Sequence, residues 1–531
     1  MKKVLCIWFL TCFGLSAFSQ EFKNRFESID VQDYAIEIEV NDTTDVISVI
    51  ETITISFFKP LDSFYLDLVD QNFEQKGMKI QSFLEQGKEI AFIHANSILQ
   101  VSPKNVTKNE VRTYIIQYSG IPKDGLVISK NKYGERTFFG DNWPTRARNW
   151  IASVDHPSDK ATVSWTIVVP AYYKVVANGE MKSEMTLSNN RKKIIYRCST
   201  AIPTKVMVIG VARFEVEQVD TIQNIPVSSW VYPQNKKAGF YDYALGANIL
   251  DYFIHHFGPY SYEKLANVQS TTRYGGMENA SCIFYDENSI NGTRDCETLL
   301  AHEIAHQWFG NAATELDWSH LWLSEGFATY CTNLYVEEKK GKEAFEKQMQ
   351  TDRKRVVSFY KTNKNPVIDT ISHDLMSLLN ANSYQKGAWV LHMLRRKIGD
   401  EFFFNGLRAY YKKYQFSNAT TNDFMQVMEE NSGIELSLFF DQWLRKSGHP
   451  KILAKSKVVK NNLEITIEQF HDTQELFNFP LEIQLMYADN TSEIKTVGIH
   501  ANKEKFSFPI TKKFSYMILD PHTNLLFEEK K

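Results

Sequence analysis

Residues 302–306 read His302-Glu303-Ile304-Ala305-His306, and after eighteen intervening residues Glu325 stands within Leu323-Ser324-Glu325-Gly326-Phe327-Ala328. Two side chains four apart on a helix project the same way, so both imidazoles reach one point in space. A chain of this composition produces H-E-x-x-H by accident roughly 0.02 times, so the pattern carries information. A helix-turn-helix folds Glu325 back against the pair, giving two neutral nitrogens and one anionic oxygen. That donor set suits a divalent ion of intermediate softness, zinc above all. A histidine pair buried and satisfied by hydrogen bonds is the competing reading, and it does not call for the carboxylate.

Three protein ligands leave a fourth position on zinc for water and lower that water's pKa towards ~7. Glu303 follows His302 on the helix and projects at about 100° from it, beside the ion rather than onto it, which suits proton transfer. Upstream lies Gly275-Gly276-Met277-Glu278-Asn279, a turn-rich stretch between more apolar flanks.

Around this centre the sequence divides into three characters. From Val31 to about Asp220, apolar residues alternate, as in Tyr34, Ile36, Ile38 and Val40, in Ile53, Ile55 and Phe57, and in Phe64, Leu66 and Leu68. Period two predicts half-buried strands, and Asn178-Gly179 and Ser188-Asn189-Asn190 supply turns between them. Beyond Trp230 the apolar spacing becomes three and four, predicting helices over 237–257, 295–311, 323–340, 342–360, 384–398, 423–431 and 436–446. After Pro450 alternation returns at Leu463, Ile465 and Ile467, at Leu481, Ile483 and Leu485, and at Phe506, Phe508 and Ile510.

The expected architecture is multidomain α+β. An all-β domain spans 20–220, a mostly helical zinc domain 221–450 and a small β-sandwich 451–531, after a signal peptide over 1–19. The signal is read from Lys2 and Lys3, the apolar run Val4 to Phe18 and the small residues Ala17 and Ser19. The run is too short to span a bilayer comfortably and no second hydrophobic stop follows, so the expectation is an exported chain, periplasmic or extracellular, without stable membrane insertion.

Composition excludes other classes. With 43 % hydrophobic and 23 % charged residues the chain is neither disordered nor of low complexity. A net charge of -3 without a basic block gives no nucleic-acid footprint. Cys6 and Cys12 leave with the signal, and Cys198, Cys282, Cys296 and Cys331 show no C-x-x-C spacing, so buried thiols with at most one bridge are expected rather than a metal cluster.

Taken together, G-x-M-E-N, H-E-x-x-H and the glutamate after eighteen intervening residues make the chain resemble the aminopeptidase N-like zinc metallopeptidases, the gluzincin family that also includes leukotriene hydrolases. The resemblance extends through Trp143-Pro144, Asp155-His156-Pro157, the stretch Pro259 to Leu265, His306 to Asn311 and the close at Trp443 to Pro450. It implies a thermolysin-like catalytic domain, one zinc held by His302, His306 and Glu325, and hydrolysis of N-terminal residues from peptides, with Glu303 as the base. It also implies that Glu278 receives the α-ammonium of a substrate with a free N-terminus, with Gly275, Gly276, Met277 and Asn279 forming the surrounding substrate site. Tyr384, in Ser383-Tyr384-Gln385-Lys386-Gly387, stands where the family's Y-x-K-G tyrosine stabilises the oxyanion.

Two departures qualify the likeness. Where many relatives carry a glutamine near the substrate amine, this chain has Asp141, Asn142 and Trp143. The long helical C-terminal domain of many relatives is expected to be absent. Two other readings stay on the same scaffold: epoxide hydrolysis, which nothing in the residues selects, and a non-catalytic peptide-binding module, which would need neither Glu303 nor Tyr384.

Overall fold

The computed structural model describes residues 27–372, 374–470 and 476–530. The proposed signal, residues 1–19, lies outside them. The chain forms two compact units, one of Met1–Ala247 with Ser261–Cys296 and the other of Asn248–Tyr260 with Glu297–Lys531.

The first unit is built around an eight-stranded sheet. Its centre is Ile29–Glu39, paired antiparallel with Ile47–Phe57 and parallel with Lys160–Pro170. The alternation read from sequence maps onto its faces, since Tyr34, Ile36, Ile38, Ile53, Ile55 and Phe57 are all buried. Behind it Trp150 and Trp165 stack with centroids 5.6 Å apart. Asn189 and Asn190 both take positive φ in the turn joining Glu180–Leu187 to Arg191–Pro203, the backbone twist a tight hairpin requires.

A second, five-stranded sheet runs from Glu215–Ile222 through Ile225–Val231, Leu265–Ser270 and Cys282–Asp286 to the short strand Gly276–Met277. Helix α1 (Lys236–Tyr243) packs on it. The sequence places this stretch largely in the helical region, and the structure corrects that. Leu265–Ser270 is buried at every residue and runs parallel to both neighbours. A parallel strand covered on both faces shows no alternation, so period two has nothing to detect.

The second unit holds α2 (Leu245–Phe257, whose first residues belong to the other unit), α3 (Glu297–Ala305), α4 (Trp322–Lys340), α5 (Lys342–Phe359), α6 (Gly387–Ile398), α7 (Asp400–Tyr414) and α8 (Thr421–Ser432). The predicted 295–311 helix ends as regular helix at Ala305. The predicted 384–398 and 436–446 helices contain wider turns, at Asn382–Lys386 and Asp441–Arg445. Helix α7 is additional to the prediction. It buries Phe403, Gly406, Leu407, Tyr410 and Tyr411 at spacings of three and four, along one stripe. Its neighbour α8 starts with a capping box in which Thr420 and Asp423 bond each other's backbone N–H.

The C-terminal segment forms two sheets, one centred on Asn462–Phe470 and Lys451–Val459, the other on Phe479–Tyr487. Leu463, Ile465, Ile467, Leu481, Ile483 and Leu485 are buried, as the alternation requires. It is tied to the helices by the Arg353–Asp520 ion pair and by His392 Nε2, 3.0 Å from the Thr523 carbonyl. Cys198, Cys282, Cys296 and Cys331 are buried free thiols. No helix of the described residues is long and apolar enough to cross a membrane.

One buried carboxyl gives the first unit a pH dependence. Glu51 is fully buried, and burial pushes its pKa up to about 8 against the opposing hydrogen bonds from Tyr118 and Ala152. The Tyr118 hydroxyl lies 2.6 Å from Glu51 Oε2 and 3.0 Å from the Trp150 carbonyl, yet has a single proton for two acceptors. A protonated Glu51 resolves this by donating to Tyr118, which donates onward to Trp150. The folded pKa is above the unfolded value of about 4.5, so this contribution to stability is whole below that value and is lost as pH rises to about 8. The loss is on the order of 4 kcal/mol. Thermal unfolding between pH 4.5 and 8 is expected to fall less steeply in Glu51→Gln than in wild type; parallel curves would rule out Glu51 as the titrating group.

Candidate metal centre

Helix α3 presents His302 and Glu303 in its last turn, and the chain continues its helical hydrogen bonding just far enough to place His306, whose N–H donates to the His302 carbonyl at 3.3 Å. It then tightens. Gly310 takes φ +119°, and a Cβ there would stand 2.3 Å from Ser324 Oγ and 3.1 Å from His306 Nδ1. Glycine is therefore required where the α3 exit meets the start of α4. Glu325 sits in the first turn of α4, where the helix dipole favours an anion.

These elements bring three ligand atoms together. His302 Nε2 and His306 Nε2 are 3.2 Å apart, and Glu325 Oε2 lies 3.4 Å from the first and 3.3 Å from the second. Glu325 is buried, and Oε2 has no well-formed hydrogen bond among the described residues. Tetrahedral ligands at zinc's usual bond lengths of about 2.0–2.1 Å are separated by about 3.3–3.4 Å. The donors present thus fit zinc in type, number and spacing. Burial alone would raise the Glu325 carboxyl, but the adjacent imidazoles, His306 first, hold it well below the ordinary range.

The surroundings are organised from the same unit. His306 Nδ1 lies 3.1 Å from Ser324 Oγ and 3.2 Å from the Phe309 carbonyl, so a proton on Nδ1 is held there and Nε2 keeps its lone pair for a metal. Glu303 is buried, with a carboxylate oxygen within 4.8 Å of a ring nitrogen of His306. Tyr384 lies on the wide turn before α6, its ring stacked on that of His302 at 6.0 Å and 13°. That placement depends on backbone contact between α4 and α6. A Cβ on Gly326 would meet Gly387 Cα at 2.9 Å, so neither position tolerates a side chain.

Of the predicted site residues, the structure gathers His302, Glu303, His306, Glu325 and Tyr384 in the second unit. Gly275, Gly276, Met277, Glu278 and Asn279 belong to the first. There Gly276–Met277 pairs with Cys282–Asp286, and the turn between them is pinned by Asn279 N–H to the Met277 carbonyl at 2.9 Å and by Ala280 N–H to the Val206 carbonyl at 3.3 Å. Glu278 and Asn279 are buried. Asn142 is structural, donating to the carbonyls of Thr204 and Met207 while its oxygen accepts from Trp150 Nε1. Sequence reasoning did not identify Ser324, Phe309, Gly326 or Gly387. Their roles come from packing across elements, although the two glycines flanking motif residues were a signal.

Residues 241–443 match the peptidase family M1 domain, and residues 31–205 match the peptidase M1 N-terminal domain. The chain belongs to peptidase family M1. Among curated relatives of this M1 chain, glutamyl aminopeptidase of Bitis rhinoceros is 30% identical over 62% of the chain and 35% of the relative. Aminopeptidase M1 of Arabidopsis thaliana is 32% identical over 60% of the chain and 38% of the relative. The chain thus spans little more than a third of the length of these proteins. An M1 zinc metallopeptidase from Deinococcus radiodurans shares the fold with a TM-score of 0.66 at 23% identity, covering 79% of this chain and 94% of that one. The same Deinococcus enzyme has also been solved with a Tyr-Ser-Ala substrate.

The Ser324 contact yields a test. Ser324→Ala removes one of the two groups that hold the His306 proton, and zinc affinity is expected to fall about 10-fold or more while the fold is retained. Competition with a chelator measures this; unchanged affinity would leave Ser324 only a packing role.

Proposed function

We propose that this M1 chain is a zinc-dependent aminopeptidase, hydrolysing N-terminal residues from peptides. The observation that carries the reading is the convergence of His302, His306 and Glu325 on one point, with Glu303 buried beside it and Tyr384 stacked on His302. Aminopeptidase names among the relatives support it. When bound, zinc polarises the scissile carbonyl and makes water acidic enough to ionise near neutrality.

The chain's own groups then divide the work. Glu303 takes the proton of the attacking water and returns it to the departing amine, a carboxylate being able to carry it between the two steps. The Tyr384 hydroxyl donates to the oxygen that gains negative charge, an interaction worth roughly 3–4 kcal/mol where donors are pre-aimed. Glu278 receives the substrate's α-ammonium, while Gly275, Gly276, Met277 and Asn279 shape the amine site. An anchor that needs a free ammonium restricts cleavage to the first peptide bond and contributes orientation.

Turnover of fluorogenic aminoacyl amides is expected to fall at least about 100-fold in both Glu303→Ala and Tyr384→Phe, with zinc content unchanged. Equal turnover in either variant would remove that residue from the reaction, and zinc-loaded wild type inert on a broad panel would sink the aminopeptidase reading.

A second measurement addresses the anchor. Wild type is expected to cleave a peptide and to spare its N-acetylated form, and Glu278→Ala is expected to lose most of that preference. Undiminished cleavage of the blocked peptide by wild type would refute the amine-binding role.

A further inference from the structure

A cavity of about 480 Å³ lies in the second unit, away from the residues of the metal centre, between the last turn of α6, the 437–445 segment and the sheet containing Phe479–Tyr487. Its volume is in the range of small-molecule sites. Met393, Phe439, Trp443, Phe479 and Leu525 give it an apolar lining. Trp443 is fixed against Phe477, their rings 5.1 Å apart. The wall beside it is held by a reciprocal pair, Asn478 N–H to Gln442 Oε1 at 2.7 Å and Gln442 Nε2 to the Asn478 carbonyl at 3.1 Å.

The charges around this lining are unevenly satisfied. Its two acids are engaged: Asp520 pairs with Arg353 and accepts the N–H groups of Asn524 at 2.7 Å and Leu525 at 3.3 Å, and Glu482 lies 2.8 Å from His522 Nδ1. Its two cations are not. Among the described residues Arg396 has only Asp400 as a carboxylate partner, at 3.7 Å, and Asp400 is already held by Arg395 at 2.7 and 3.1 Å. Lys397 has no carboxylate partner among the described residues. Thr496 and Asn524 add an uncharged hydroxyl and amide to the lining.

We infer that this cavity binds an apolar carboxylate, its ring or branched chain against Phe439 and Trp443 and its carboxylate on Arg396 and Lys397. A ring or aliphatic chain gains from leaving water for such a surface, and a carboxylate takes charge-assisted hydrogen bonds from two cations that lack a close partner. Arg396 and Lys397 are exposed at the rim, so an anion gains from them while an uncharged apolar molecule draws nothing from either. The inference does not depend on the proposed peptidase reaction.

Calorimetric titration of the full zinc-loaded chain with N-acetyl-L-phenylalanine tests it, since the blocked amine cannot use an ammonium site. Saturable binding is expected, weakened about 10-fold or more in the Arg396→Gln/Lys397→Gln variant and in Phe439→Ala, with N-acetyl-L-phenylalaninamide failing to bind. L-phenylalanine and N-acetyl-glycyl-glycyl-L-phenylalanine, titrated in parallel, separate a free amino acid from a peptide end as the source of the carboxylate. No saturable binding, equal affinity for the amide, or unchanged affinity in the double variant with its circular dichroism intact would each overturn the assignment. The last result would place the ligand elsewhere, on the metal included.

Discussion

Three electron-rich atoms held within 3.4 Å of one another in the protein interior form the constraint around which the second unit is arranged. Two imidazole nitrogens and a carboxylate oxygen at that spacing repel unless a cation or protons lie among them. The cost of desolvating Glu325 adds to the repulsion. Such an arrangement persists because rigid elements impose it. The short α3, the glycine at 310 and the N-terminal turn of α4 leave these side chains little freedom to move apart. A divalent ion held by His302, His306 and Glu325 would convert the repulsion into coordination, and its binding energy would then stabilise the surrounding fold.

Positioning extends outward from those atoms. Ser324 and the Phe309 carbonyl hold one face of His306, so the other nitrogen is kept for a ligand role. The Gly326–Gly387 contact lets α4 and α6 approach until their backbones touch, and this carries Tyr384 onto His302. Bulk at either glycine would separate the helices and move the phenol away from the metal ligands. The wide turn at Asn382–Lys386 belongs to the same geometry, because it reorients the chain just before α6. Wider turns of this kind occur within helices often at functional sites.

Much of this was legible in one dimension. The strands of the large sheet and of the C-terminal sheets followed from alternation, because each has one covered and one wetter face. The convergence of His302 and His306 followed from spacing, because a helix fixes the relation of residues four apart. The five-stranded sheet did not, since strands such as Leu265–Ser270 are buried on both faces and lose their periodicity. Asn142, which stands in the stretch where many relatives carry the glutamine near the substrate amine, is committed to three hydrogen bonds within the first unit. Only the partners of its amide reveal that.

By itself, the sequence determined which donor types the chain offers to a metal, because H-E-x-x-H and a distant glutamate specify two imidazoles at a helical separation and one carboxylate regardless of what surrounds them. It also determined the succession of β, helical and β segments, since local periodicity reports which faces are covered. The tertiary structure alone decided what holds those donors in place, namely Ser324 behind His306 and glycine against glycine beneath Tyr384, and in the first unit it alone buried Glu51 against Tyr118. It alone revealed the two weakly paired cations over an apolar cavity at the end of α6. Each of these depends on residues far apart in the chain, whose meeting follows from packing and from the hydrogen-bond balance of a dry interior, which no local pattern encodes.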